Sequence, residues 1–278
     1  MAYTLKVSLP AVVDQSATNG ILIAFKDFLS SNGWVIDFAE TYLTTFYRVH
    51  VHKGTAHFDF WTSTTVAFNG VGCTGYTPGN TPITQPGVSN TKTYTWVVNG
   101  QYMFVSFPHG VLLISIAILG NYGYGVIIHS VADKIGAWSE GIIISAMNAS
   151  TGISGSSCFA AHQNSQIYYN GGWSGNTALL KGMWGTDITS DLPSMPPAQY
   201  NSGMMLWPMI FGTMNAIDTT KHTPMGYYPD LFRSNSGDLY LAEETITIGA
   251  DTYLILPNSG SILVGVNNNA DYLIRLGS

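Results

Sequence analysis

TFYRVHVHKGTAHFDFW, residues 45–61, alternates apolar and polar side chains on either side of a short break at Lys53, Gly54 and Thr55. In an extended chain Tyr47, Val49 and Val51 fall on one face and His50 and His52 on the other, while HFDFW (57–61) pairs back across the turn. Strand-like runs recur at 34–38, 94–98, 102–107, 111–119, 125–129, 141–147, 204–211, 261–266 and 272–276. A second hairpin stands out in EETITIGADTYLILP (243–257), whose arms alternate around Gly249, Ala250 and Asp251, with Gly249 releasing the turn. Its Thr245/Thr247 and Ile246/Ile248 faces predict a half-buried strand pair at the margin of the sandwich.

One segment has helical periodicity instead. Ile21, Leu22, Phe25, Phe28 and Leu29 recur at spacings of three and four, with Ser16 or Thr18 as cap and Asn32-Gly33 as a left-handed stop. The expected fold is therefore mainly β: a β-sandwich or barrel-like antiparallel fold with one N-terminal amphipathic helix and long Gly/Thr/Pro-rich loops. The reading divides the chain into a helix plus β-lobe at 1–150 and a C-terminal β-lobe at 151–278, possible also as one continuous domain. The stretches 69–91, 168–176 and 190–203 read as long exposed excursions.

Composition narrows function. Only 9% of the 278 residues are charged, against roughly 25% in ordinary soluble domains, while 46% are hydrophobic and 30 residues are glycine. Such a surface suits burial against neighbouring copies. The net charge is −6 and the ten Lys and Arg residues are scattered, so no basic stripe faces nucleic acid. The longest apolar run, VLLISIAIL (111–119), is about half the length of a membrane-spanning helix and reads as a strand buried on both faces. The N-terminus lacks the pattern of a secretory signal, so delivery outside a cell is expected by lysis or assembly. Cys73 and Cys158 lack metal or redox spacing, leaving two half-buried thiols or one disulfide.

Candidate chemistry is sparse. His50 and His52 share a strand face with His57 across the turn, an arrangement able to present imidazoles to one metal ion. It is similar to the H-x-H of cupins but lacks their following glutamate. Solvent-facing or hydrogen-bonded strand histidines are the preferred reading, with no metal or other cofactor assigned. His57, Asp133 and Ser154 follow the chain order of a trypsin-like triad. The neighbours Phe58, Ile153 and Ser156 depart from that pattern, and a Gly/Ser-rich turn explains the serine. Glu243 and Glu244 are adjacent and point to opposite faces. No catalytic residue is assigned, and the chain is read as a non-enzyme. Tyr76, Tyr168, Tyr169 and Trp173 sit in Gly/Asn/Ser-rich loops as ligand or subunit contacts.

The stretch MGYYPDLFRSNSGDLYLAEETITIGADTYLILP (225–257), with WPMIFG (207–212) before it and GAWSEG (136–141) between strands, resembles virion structural proteins of tailed bacteriophages. The resemblance is carried mainly by the C-terminal third. It implies a virion component of the tail, baseplate or another peripheral part, present in several symmetric copies. Its partners would be copies of itself and other virion proteins, with neither nucleic acid nor a membrane span. The alternative is a receptor- or carbohydrate-binding module, its loop aromatics stacking on a host surface glycan.

Overall fold

A computed structural model describes residues 5–8, 18–43, 46–64, 67–88, 91–95, 101–116, 122–130, 142–147, 157–161, 181–182, 206–214, 222–234, 244–256 and 272–277. Among them are one α-helix and seventeen strands, numbered in chain order and paired antiparallel throughout. The mainly β expectation with one helix near the N-terminus therefore holds.

Helix α1 (Thr18–Ser31) places Ile21, Leu22, Phe25, Phe28 and Leu29 in the core, as the spacing predicts. Its end is a Schellman motif. The Trp34 N–H reaches the Leu29 carbonyl (3.1 Å) and the Gly33 N–H reaches that of Ser30 (3.3 Å), with Gly33 at φ +78°. Trp34 and Leu29 then pack into the same core cluster, the apolar contact that accompanies this cap.

The helix lies on a five-stranded sheet of β2 (Val35–Tyr42), β3 (Phe46–Lys53), β4 (Ala56–Thr64), β5 (Ala67–Cys73) and β6 (Lys92–Thr95), in that order. Gly54, at φ +61°, turns β3 into β4, where Lys53 pairs with Ala56. The alternation read from the sequence sends Val49, Val51, Phe58 and Phe60 towards the helix, all fully buried.

Behind the helix stands a six-stranded sheet, β1 (Leu5–Ser8), β7 (Gln101–Phe107), β8 (Gly110–Ile116), β9 (Tyr122–Ile128), β10 (Ile142–Met147) and β11 (Ser157–Ala161), also in that order. Phe25 and Phe28 meet Phe104 of β7 at ring distances of 5.1 and 5.4 Å, and Phe25 meets Phe60 edge-on at 5.6 Å. Helix and both sheets thus share one core, a sandwich with the helix as part of its filling. Val111, Leu112 and Leu113 are consecutive and buried, the two-faced burial expected of β8. The last strand of this sheet, β11, comes from beyond residue 150, the division suggested by sequence.

The third sheet runs β12 (Lys181–Gly182), β13 (Leu206–Met214), β14 (His222–Ser234), β17 (Tyr272–Gly277), β16 (Asp251–Leu256) and β15 (Thr245–Ile248). The predicted hairpin is β15–β16, and Ile248 pairs with Asp251 across a two-residue Gly249-Ala250 turn. Gly249 sits at φ +63°, and Ala250 is not among the positive-φ residues, the signature of a II′ hairpin turn. Among the described strands β15 ends this third sheet, which is separate from the two sheets of the sandwich, with Ile246 half-buried and both threonines exposed.

The strand-like runs read from the sequence do not include 222–234, which holds Pro224 and Pro229. The structure places both prolines in β14 beside register shifts against β13, where ladder hydrogen bonds are interrupted. Near the second shift Asp230, 1% exposed, accepts from the His109 N–H (3.0 Å) and Arg275 Nη2 (2.9 Å), tying the β8 entry turn to β14 and β17. The predicted strand at 261–266 and the loops at 168–176 and 190–203 lie outside the described residues.

Candidate functional site

The outward face of the five-stranded sheet is not a solvated surface. On it β3 presents Arg48, His50 and His52, and β4 presents His57 and Asp59, yet Arg48, His50 and Asp59 are buried. Residues 74–88, within the stretch expected to be an exposed excursion, cover them. That expectation is corrected: residues 69–73 belong to strand β5, and the connection from β5 to β6 folds back over its own sheet.

The covering segment holds one short 3-10 turn, Pro82–Thr84, and otherwise closes on itself through irregular backbone. The Thr74 N–H donates to the Pro86 carbonyl (2.8 Å), and Gly87 at φ +59° leaves no room for a Cβ beside Thr74. Buried Gln85 acts as its internal strut, accepting from the Thr77 N–H (2.8 Å) and donating to the carbonyls of Thr77 (3.3 Å) and Asn80 (3.1 Å). A buried primary amide satisfied in this way substitutes for a ladder. Residues 74–88 thus cover the polar face of their own sheet.

Arg48 fastens cover to sheet. Its Nη1 donates to the Asn80 carbonyl (2.7 Å), while Nε and Nη2 grip Asp59 at 3.0 and 2.6 Å. Its guanidinium also lies over the Phe38 ring at 5.1 Å. The Asp59 Oδ2 held by Arg48 Nη2 also takes His50 Nδ1 at 3.1 Å, and His50 Nε2 meets His57 Nδ1 at 3.3 Å.

This chain fixes the tautomers of neutral rings. A carboxylate only accepts, so His50 Nδ1 donates to Asp59, His50 Nε2 accepts from His57 Nδ1–H, and His57 Nε2 keeps its lone pair. The His57 pKa is lowered, first by burial and then by the neighbouring His50 and His52, with Asp37 opposing, which favours the neutral ring.

Asp37 reaches the group through a bulge. Ile36 pairs with Val51 and Phe38 with His50, leaving Asp37 as an extra residue in β2. Its Oδ2 accepts from His52 Nδ1 at 2.7 Å and lies 3.9 Å from His50 Nε2. Asp37, His52 and His57 each bring one metal-competent atom within 4.8 Å of the others.

The three histidines singled out by spacing are thus brought together, and of the two readings offered for them, solvent-facing or hydrogen-bonded, the second describes His50, which is fully buried between Asp59 and His57. Asp37, Asp59 and Arg48 belong to the group and were not proposed. Asp59 was visible two residues from His57, whereas the bulge that recruits Asp37 leaves no signal in a local pattern. Tyr76 is half-buried as part of the cover, its ring 4.6 Å from His50, with burial raising its phenol pKa. Cys73 is a free, buried thiol pushed up to about 12, first by burial and then by Asp59, which makes it inert rather than bonded. Tyr168, Tyr169, Trp173, Asp133 and Ser154 lie outside the described residues.

No helix among the described residues is long and apolar enough to cross a membrane. Comparison with protein-family models finds no match, and comparison with the curated proteins finds none either.

Proposed function

We propose that this chain is a structural component of a bacteriophage particle, tail- or baseplate-associated, acting through subunit interfaces in a symmetric assembly. The observation that carries the reading is the outer edge of β15. Its four residues, TITI, contain no charge, proline or register shift, and Ile248 is 38% exposed. Monomeric proteins blunt such edges with lysine, proline or bulges, because unpaired N–H and C=O groups recruit another strand. Among the described residues no strand covers this edge, which suits a strand that another subunit covers.

Two features support the same reading. The resemblance of residues 225–257 to phage virion proteins falls on strands β14, β15 and β16 of this sheet. Several of the chain's few charges are also consumed internally: Arg48 with Asp59, and Arg275 with Asp230. This leaves Thr, Ser, Asn and Gly to meet neighbours, chemistry compatible with a tightly packed assembly.

The test is the double substitution Thr247→Lys with Ile248→Lys, two exposed positions, which places charge along that edge. The variant is expected to keep the wild-type circular dichroism spectrum while failing to enter particles. Normal incorporation of the folded variant contradicts the proposal.

A further inference from the structure

We propose that Asp37, His52 and His57 form a binding site for one divalent first-row transition ion of the zinc class, which pins the bulged edge strand β2 to the β3–β4 hairpin. Three observations carry it. The donor set is two imidazoles and one carboxylate, each offering an atom within 4.8 Å of the other two. Two nitrogen donors favour a borderline ion such as zinc over calcium or magnesium, which take oxygen ligands.

The second observation is the support behind the ligands. Arg48 fixes Asp59, Asp59 fixes His50, and His50 accepts the Nδ1 proton of His57, so the remaining Nε2 lone pair is set by a buried relay. In metal sites the other ring N–H of a ligating histidine is held by an acceptor behind it, which fixes the ring, and His50 Nε2 stands in that place for His57. A solvated row of strand histidines needs no such relay.

The third is the bulge itself. Regular alternation in β2 assigns Val35 and Phe38 to positions opposite His52 and His50, and the one extra residue between them is the carboxylate that contacts His52. Bulges characteristically re-aim a side chain at functional positions. The site also has an entry path, since Asp37 and His52 retain 20% and 25% exposure while His50 behind them has none. Three protein ligands leave a fourth tetrahedral position for water.

The experiment uses the untagged full chain stripped with a chelator and titrated calorimetrically with Zn²⁺. One ion per chain is expected. Asp37→Asn and His57→Gln are each expected to weaken binding by at least the roughly 10–100-fold that loss of an outer partner costs, with unchanged circular dichroism. Absence of zinc uptake by the wild-type chain, or equal uptake by both folded variants, overturns the proposal. Co²⁺ added to the wild-type chain gives a readout independent of variant folding. Visible bands of a tetrahedral nitrogen and oxygen site that bleach on Zn²⁺ addition support it, and a spectrum without them overturns it.

Discussion

Arg48 and Asp59 form a buried ion pair across neighbouring strands β3 and β4, with Nη2 and Oδ2 at 2.6 Å and side-chain exposures of 5% and 0%. Each partner has further work: Arg48 holds the covering segment through Asn80, and Asp59 holds His50. The pair therefore joins the sheet, its cover and the histidine group.

Removing one charge leaves the other buried and uncompensated. Arg48→Ala is expected to cost about 3–5 kcal/mol, whereas replacing both residues with apolar side chains of similar volume is expected to cost less than either single truncation. Urea unfolding midpoints of the two single variants and the double variant check this. Additive losses would contradict the coupling.

Two glycines separate backbone strain from crowding. At Gly249, φ is +63° and an added Cβ meets nothing within 4 Å, so Gly249→Ala is expected to cost only the backbone strain of that turn position, about 1–3 kcal/mol. At Gly110 no such φ applies, but an added Cβ runs into the Ile127 carbonyl and the Phe107 ring. Gly110→Ala is therefore expected to reach or exceed the upper end of the about 1–3 kcal/mol typical of overpacking. Thermal denaturation of both variants gives the comparison.

Much of this was legible in the sequence, for a physical reason. The helix, the β3–β4 unit and the β15–β16 hairpin each encode their structure in a local period: Phe25 and Phe28 at helical spacing, Val49 and Val51 at strand spacing, Gly249 at a turn. The burial of His50 could not be read in this way. Alternation shows only that it opposes Val49, and whether water or protein lies beyond depends on a segment some thirty residues away. Strand β14 was hidden by Pro224 and Pro229, which break a regular strand but are tolerated beside its register shifts. Asp37 was hidden because a bulge is decided by pairing between strands.

Acid sensitivity is expected from His129. Its pKa is lowered from 6.5 to about 4, first by burial and then by Lys53 and His109, against the opposing Pro108 carbonyl and Asp230. Its Nε2 is buried without a hydrogen-bond partner among the described residues, and its ring lies edge-on to Trp34 at 5.6 Å. The folded state holds the ring neutral while the unfolded chain takes up a proton below about 6.5. The His129 contribution is thus complete above that pH and falls away as pH drops towards about 4. Against His129→Leu, the wild-type chain is expected to show the steeper loss of urea midpoint across this window. Parallel pH profiles would contradict the assignment.

The central claim, that the chain works as a repeated subunit of a phage particle, is tested most directly by quantitative mass spectrometry of purified particles from a phage or prophage encoding it. The account predicts that the chain co-purifies with intact particles in a fixed, multiple copy number relative to their other structural proteins. Its absence from particles, with the protein recovered only free in the lysate, would contradict the account.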